Sequence, residues 1–158
     1  MIKQLLDAWT AIYSNHAALK TGIAFMHIGG LVAGGGGAIT VDLATITAAR
    51  TRSSTLVAQL NLLKRTHVVV ILGLIALVVS GVLLFAADVD TFISSRIFWM
   101  KMGLMVALLT NGVLLVRSER DATHAEAQAW TRLHFIATVS LVLWFLITLA
   151  GAALPNIG

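Results

Sequence analysis

A chain of 158 residues that is 58% hydrophobic and only 11% charged, with a mean hydropathy of +0.91, lacks the polar surface to cover a water-soluble globule. It belongs in a bilayer, and its length suits one domain. No cysteine is present, which excludes disulfides, thiolate metal sites, iron–sulfur clusters and haem attached through C-x-x-C-H, so a metal or haem would be held by His, Met or carboxylate. The net charge of +4 marks loop sidedness rather than nucleic-acid binding, for which no basic motif is present.

In the first fifteen residues, Ile2, Leu5, Leu6, Trp9 and Ile12 recur at helical spacing, while Lys3, Gln4, Asp7, Thr10 and Ser14 fall mostly on the other face. The pattern predicts a short amphipathic helix within residues 1–18, lying on the membrane surface or docking a partner. A basic region followed by an apolar core is missing, so the segment does not read as a signal peptide.

Four apolar runs follow: Gly22–Ala49, Val68–Ala87, Ile97–Val116 and Leu133–Leu154. Each reaches the roughly 20 residues a helix needs to cross ~30 Å of hydrocarbon. They are continuous rather than alternating, which argues against strands. The predicted fold is all-α: an up-down-up-down four-helix transmembrane bundle with crossings at about 22–48, 66–87, 97–117 and 132–154, joined by short connections. "SSTLVAQLNLLK" predicts a helix start at Ser53 or Ser54 that extends the second crossing beyond the membrane.

Basic residues give the sidedness. Arg50, Arg52, Lys64, Arg65, Arg117, Arg120 and Arg132 flank the connections after the first and third crossings, against Lys3, Lys20, Arg96 and Lys101 on the opposite side. The bias places the first set in the cytoplasm and both termini outside it.

The second and fourth crossings begin alike, with "KRTHVVVIL" (Lys64–Leu72) and "WTRLHFIAT" (Trp130–Thr138). His67 and His134 therefore enter the membrane at nearly the same depth, on helices that are diagonal in such a bundle. Two imidazoles so placed could clasp one haem iron, with Arg65 and Arg132 half a turn outward for its propionates. Alternatively, both Arg-x-His steps are interfacial anchors without a ligand.

Asp42, in "GGGGAITVDLATI", lies near the cytoplasmic end of the first crossing. Three roles are open to it. It could accept the free ring N–H of an axial histidine, complete a two-His, one-carboxylate metal site with His67 and His134, or sit at the interface if the helix ends at Val41. His27 stands fifteen residues earlier, about 22 Å along the helix, at the level of Lys101. A His/Met haem with Met100, Met102 or Met105 is one reading of it, and a hydrogen-bonded histidine near the outer interface is the other. Lys101 can snorkel outward, or meet an anionic quinone headgroup or a propionate. Asn111 should hydrogen-bond to another helix. His16 and His124 read as solvated loop residues.

The Gly34–Gly37 run follows no strand and is not a nucleotide loop. Gly30 and Gly34, and Ala33 and Gly37, form small-xxx-small steps that admit a neighbouring backbone or a flat porphyrin, and Gly81 could serve in the same way. No hydrolase or metalloprotease motif and no paired intramembrane carboxylates are present, and no repeat of broken helices supports transport.

"MHIGGLVAGGGGAITVDL" (Met26–Leu43), "SGVLLF" (Ser80–Phe85) and "IFWMKMGLMVALLTNGVL" (Ile97–Leu114) resemble bacterial four-helix membrane proteins of the copper-resistance-D-like and b-type cytochrome grouping. The likeness covers most of residues 22–154 and is carried by loose patterns. It implies haem b between diagonal helices and, in some relatives, quinone-linked electron transfer. His27, Asp42, Lys101 and Asn111 match its pattern best, and His67 and His134 match the axial-ligand positions. The chain departs from two-haem relatives in having no second histidine pair on the outer side.

The sequence thus leads to an expectation of a bacterial inner-membrane b-type haem protein that transfers electrons within the membrane. Its partners would be lipid, quinone, other redox subunits or further copies of itself. Two rival expectations are a cofactor-free structural subunit of a larger membrane complex, and copper or iron handling at Asp42, His67 and His134.

Overall fold

In hydrocarbon a backbone can satisfy its polar groups only within its own segment, so long continuous apolar runs fold as helices. The computed structural model describes residues 1–51, 56–122 and 127–157. They form α1 (Ile2–Asn15), α2 (Ala17–Gly30), a π-helical turn (Leu31–Gly35), α3 (Gly36–Thr51), α4 (Leu56–Ala87), α5 (Val89–Ser94), α6 (Arg96–Ala122) and α7 (Ala127–Ile157). Among the described residues, four stretches are long and apolar enough to cross a membrane: Ala17–Ala48, Val68–Ala87, Arg96–Ser118 and Thr131–Asn156. The chain is a multi-pass all-α bundle. The helix start expected at Ser53 or Ser54 lies outside the described residues, as do His124 and the side chains of Arg65 and His67.

The helix pair α2–α3 is one rod, continuous through the π turn, and it packs on α4 along one side and on α7 along the other. Helix α6 packs on α7, whereas among the described residues α4 and α6 meet through side chains at one end and are otherwise apart. The order around the bundle is therefore α4, α2–α3, α7, α6, with α4 and α7 diagonal as the sequence predicts. The end of the bundle at which α3 and α6 finish and α4 and α7 begin is called the inner end, and the outer end is opposite.

Helix α1 is tied to the bundle. Trp9 Nε1 donates to Leu83 O (3.0 Å) and Thr10 Oγ1 to Ala87 O (3.2 Å), both on the outer end of α4. Leu6, Trp9 and Tyr13 are half-buried, while Ile2 and Leu5 remain exposed, so the apolar face divides between the bundle and lipid. The helix breaks at His16, whose extended backbone (φ −117°, ψ 96°) turns the chain into α2.

Also at the outer end, the Phe85 and Phe98 rings stack (5.4 Å, 11° between planes) with Phe92 tilted against both. These aromatics bridge α4 and α6 across the short α5, an element that the apolar pattern does not foretell. Asp88 caps it by accepting from Thr91 N.

The glycine run serves two neighbours. A methyl group at Gly30 would stand 2.8 Å from Gly73 O, and one at Gly34 3.2 Å from Gly73 C, so here the first rod and α4 touch backbone to backbone. Gly35, one step on, faces the Trp144 ring of α7 at 3.1 Å. The small-xxx-small expectation holds for Gly30 and Gly34, and what they admit is helix α4 itself. The π turn lies within this contact, where π-bulges commonly mark a local demand on register.

The apolar core is split along the bundle axis. Leu108, Trp144 and Ile147 form one cluster, and Leu115, Leu133, Ile136 and Ala137, backed by Ile46, form a second nearer the inner end. Asn111 joins α6 to α7 as expected, its Nδ2 donating to Ile136 O at 3.0 Å.

Candidate functional site

With α4 and α6 apart, the bundle retains a cavity of about 490 Å³ between its four crossings. Ala38 and Asp42 of α3, Val70 and Leu74 of α4, Leu109 and Arg117 of α6, and Ser140 and Trp144 of α7 contribute to its wall. Ile71, Leu109 and Val113, where the cavity passes between α4 and α6, are each about half exposed, so it opens sideways toward lipid.

The wall is apolar except near the inner end. Among the described lining residues the charged ones, Asp42 and Arg117, both lie toward that end. Helix α3 continues to Thr51, nine residues past Asp42, so the expectation of an interfacial Asp42 is replaced by a buried one, 1% exposed. A carboxylate at that depth is costly and points to a role inside the bundle. Ser140 of α7 is also buried, and Trp144 adds a flat indole wall.

The two expected ligand helices stand diagonally across this space, but their histidines relate to it differently. On α7 the buried stripe runs through Leu133, Ile136, Ala137, Ser140, Trp144, Ile147 and Ala150. His134 stands about 100° around the helix from Leu133. It is half-buried at the flank of the stripe and does not line the cavity. Arg132 is exposed. On α4, position 67 comes three and four residues before Val70 and Ile71, both cavity residues.

The described lining therefore offers carboxylate, guanidinium, hydroxyl and indole groups, with no imidazole or thioether. That set suits an apolar molecule with a polar head. It does not by itself fit a haem iron, which needs axial nitrogen or sulfur. Among the described residues no three His, Cys, Asp or Glu side chains come together as a metal site.

At the outer end, His27 sits in a second polar group. Its Nδ1 lies 2.8 Å from Ser80 Oγ, and Ser80 is 0% exposed. The Ser80 hydroxyl has one proton, directed at Ala76 O (2.6 Å) and shared with Leu77 O (3.2 Å). Ser80 Oγ therefore accepts from Nδ1–H, leaving the Nε2 lone pair open. This is the hydrogen-bonded histidine expected near the outer interface, and no methionine takes part. Gly81 lies beside the same ring: a methyl group there would stand 3.7 Å from Cε1, an ordinary van der Waals contact. Lys101 does not snorkel away: its Nζ lies 3.4 Å from where a methyl on Gly151 of α7 would stand, and it is half-buried.

Ser80→Ala should remove the hydroxyl that accepts from Nδ1–H, leaving the Leu77 carbonyl beside the ring, and cost about 1 kcal/mol, in line with interhelical hydrogen bonds in membranes. A thermal melt of the detergent-solubilised variant checks this, with ¹⁵N NMR of the imidazole reporting the tautomer. An unchanged melt and an unchanged tautomer would show that the Ser80 contact is incidental.

Comparison with protein-family models, with curated proteins and with solved structures finds no match for this chain.

Proposed function

We propose that this chain is a multi-pass protein of a bacterial inner membrane, with its termini outside the cytoplasm, that takes a quinone-class molecule from the bilayer into the four-helix cavity and serves electron transfer within the membrane. The observation that carries the reading is the cavity itself: apolar, open sideways between α4 and α6, with its charge gathered at one end. A quinone has the matching division, a flat head with two polar oxygens and an apolar tail. The head would lie on Trp144, with Arg117 donating to a carbonyl oxygen and Asp42 accepting from the hydroxyl of the reduced form. The tail would leave between Ile71 and Val113 into lipid. The basic residues around the inner connections support the orientation.

The experiment is a titration of detergent-purified protein with a short-chain quinone, read by tryptophan fluorescence. Saturable quenching that is lost in Trp144→Phe is expected. Quenching that rises linearly with quinone, as for free collision, would refute the proposal.

Haem b as the electron carrier is the second reading. Two placements favour it: α4 and α7 face each other diagonally across the cavity, and position 67 stands one turn from its wall. Bound haem would supply one-electron chemistry; holding it with His67 and His134 would require the His134 ring to turn from the flank of α7 into the cavity, with Arg65 and Arg132 toward the propionates. An optical spectrum of the purified protein, oxidised and then dithionite-reduced, tests this beside His67→Ala and His134→Ala. A Soret band with sharp reduced α and β bands, lost in both variants, is expected. A featureless wild-type spectrum after haem-replete expression would remove haem and leave electron supply to a neighbouring redox subunit.

A further inference from the structure

A half-buried cation stands in the outer half of the bundle, and among the described residues no anion lies beside it. Lys101 is the sixth residue of α6, and its Nζ reaches across to the backbone of α7 at Gly151. Among the described residues no carboxylate forms an ion pair with it and no side chain or carbonyl accepts from it. His27 of α2 lies within electrostatic range, held by Ser80 of α4. Residues from all four crossings thus lie toward the same end: an imidazole, a hydroxyl, an ammonium and, on α7, Gly151 under the ammonium.

An ammonium below the membrane surface loses much of its hydration and gains most from a charge-assisted hydrogen bond to an anionic oxygen. Snorkelling is the usual escape for a lysine this close to a helix end. Here the side chain lies across Gly151 of α7 and stays half-buried. The neighbouring groups supply no negative charge: Ser80 has committed its proton to Ala76 O, and His27 presents either a lone pair or, when protonated, a second positive charge. Among the described residues none supplies the counter-charge, which leaves the position open to an anion from outside the chain.

We propose that Lys101, with Gly151 of α7 as its floor and His27 at the same end of the bundle, forms an outer-leaflet site for a phosphate oxyanion. The site does not depend on the inner cavity or on the redox reading. Two sources share this chemistry, the phosphodiester of an anionic phospholipid and free inorganic phosphate.

The test is a thermal melt of detergent-purified full-length protein titrated with phosphatidylglycerol, with phosphatidylcholine as the zwitterionic control, and separately with inorganic phosphate. Wild type, Lys101→Gln and Lys101→Arg are compared, each first shown by circular dichroism to be helical. The wild type is expected to melt higher with the anionic ligand. Lys101→Gln should weaken that effect roughly tenfold in ligand concentration, as for the loss of one charge-assisted bond. Lys101→Arg, which keeps the charge, should retain most of it. A response to phosphatidylglycerol alone identifies a lipid site, and a response to inorganic phosphate identifies a soluble-anion site. If Lys101→Gln responds as the wild type does, the anion is bound by the interfacial arginines and lysines and the proposal fails. It fails equally if neither ligand shifts the wild-type melt beyond the phosphatidylcholine control.

Discussion

Gly73→Ala is expected to cost the bundle about 3 kcal/mol, at the upper end of what overpacking a helix contact usually does. A methyl group at this position runs into the Gly34 backbone nitrogen, stands 2.6 Å from Gly34 Cα and 2.9 Å from Gly30 O. No side chain can rotate away, because every one of these atoms is backbone. The only relief is for α4 to move off the π turn, which would loosen the contact that Gly30 and Gly34 make possible. Gly36→Ala is the matched control: it lies beside the π turn, yet a methyl group there would meet nothing within 4 Å. A detergent melt should show Gly73→Ala destabilised and Gly36→Ala unchanged or slightly raised, since alanine is the better helix former. Equal melts for the two would mean that the α4 contact contributes little to stability.

Gly112→Phe should separate folding from ligand binding. Gly112 is part of the cavity wall, and an added methyl group again meets nothing within 4 Å. A phenyl ring can therefore enter empty space without moving backbone. The variant should melt at or above the wild-type temperature, because a filled cavity regains dispersion contacts and glycine is a poor helix residue. Short-chain quinone should bind at least about tenfold more weakly, the scale set by losing roughly 1.4 kcal/mol of contact. Wild-type affinity in a stable Gly112→Phe protein would place the ligand elsewhere. Reduced stability would show instead that the wall is closer than its open Cβ direction indicates.

Much of this architecture is legible in the sequence. The four crossings follow from run length, and the intramembrane polar residues announce themselves as expensive: Asp42, Asn111 and His27 all turn inward to the bundle. The Gly30–Gly34 step is readable as a close approach. The cavity, the π turn, α5 and the placement of Lys101 across Gly151 are not legible in it. Sequence also sets His134 toward the bundle centre, whereas its register leaves it on the flank of α7. Ser80 goes unnamed there as the partner of His27, though a serine in the outer part of an apolar run is a signal for such a partner.

Sequence alone determined that this chain crosses a membrane four times, because the cost of placing polar groups in hydrocarbon is summed locally, residue by residue. It could not decide which faces meet. In water a helix advertises its buried face by apolar periodicity, but lipid is as apolar as the core, so a run such as Leu133–Leu154 is greasy all round and names no interior side. That choice fell to tertiary contacts: Gly73 against Gly34, Trp144 against Gly35, Asn111 on Ile136 and Lys101 over Gly151. By drawing α4 to the first rod and α6 to α7, these contacts left the space between α4 and α6 in which the proposed function resides.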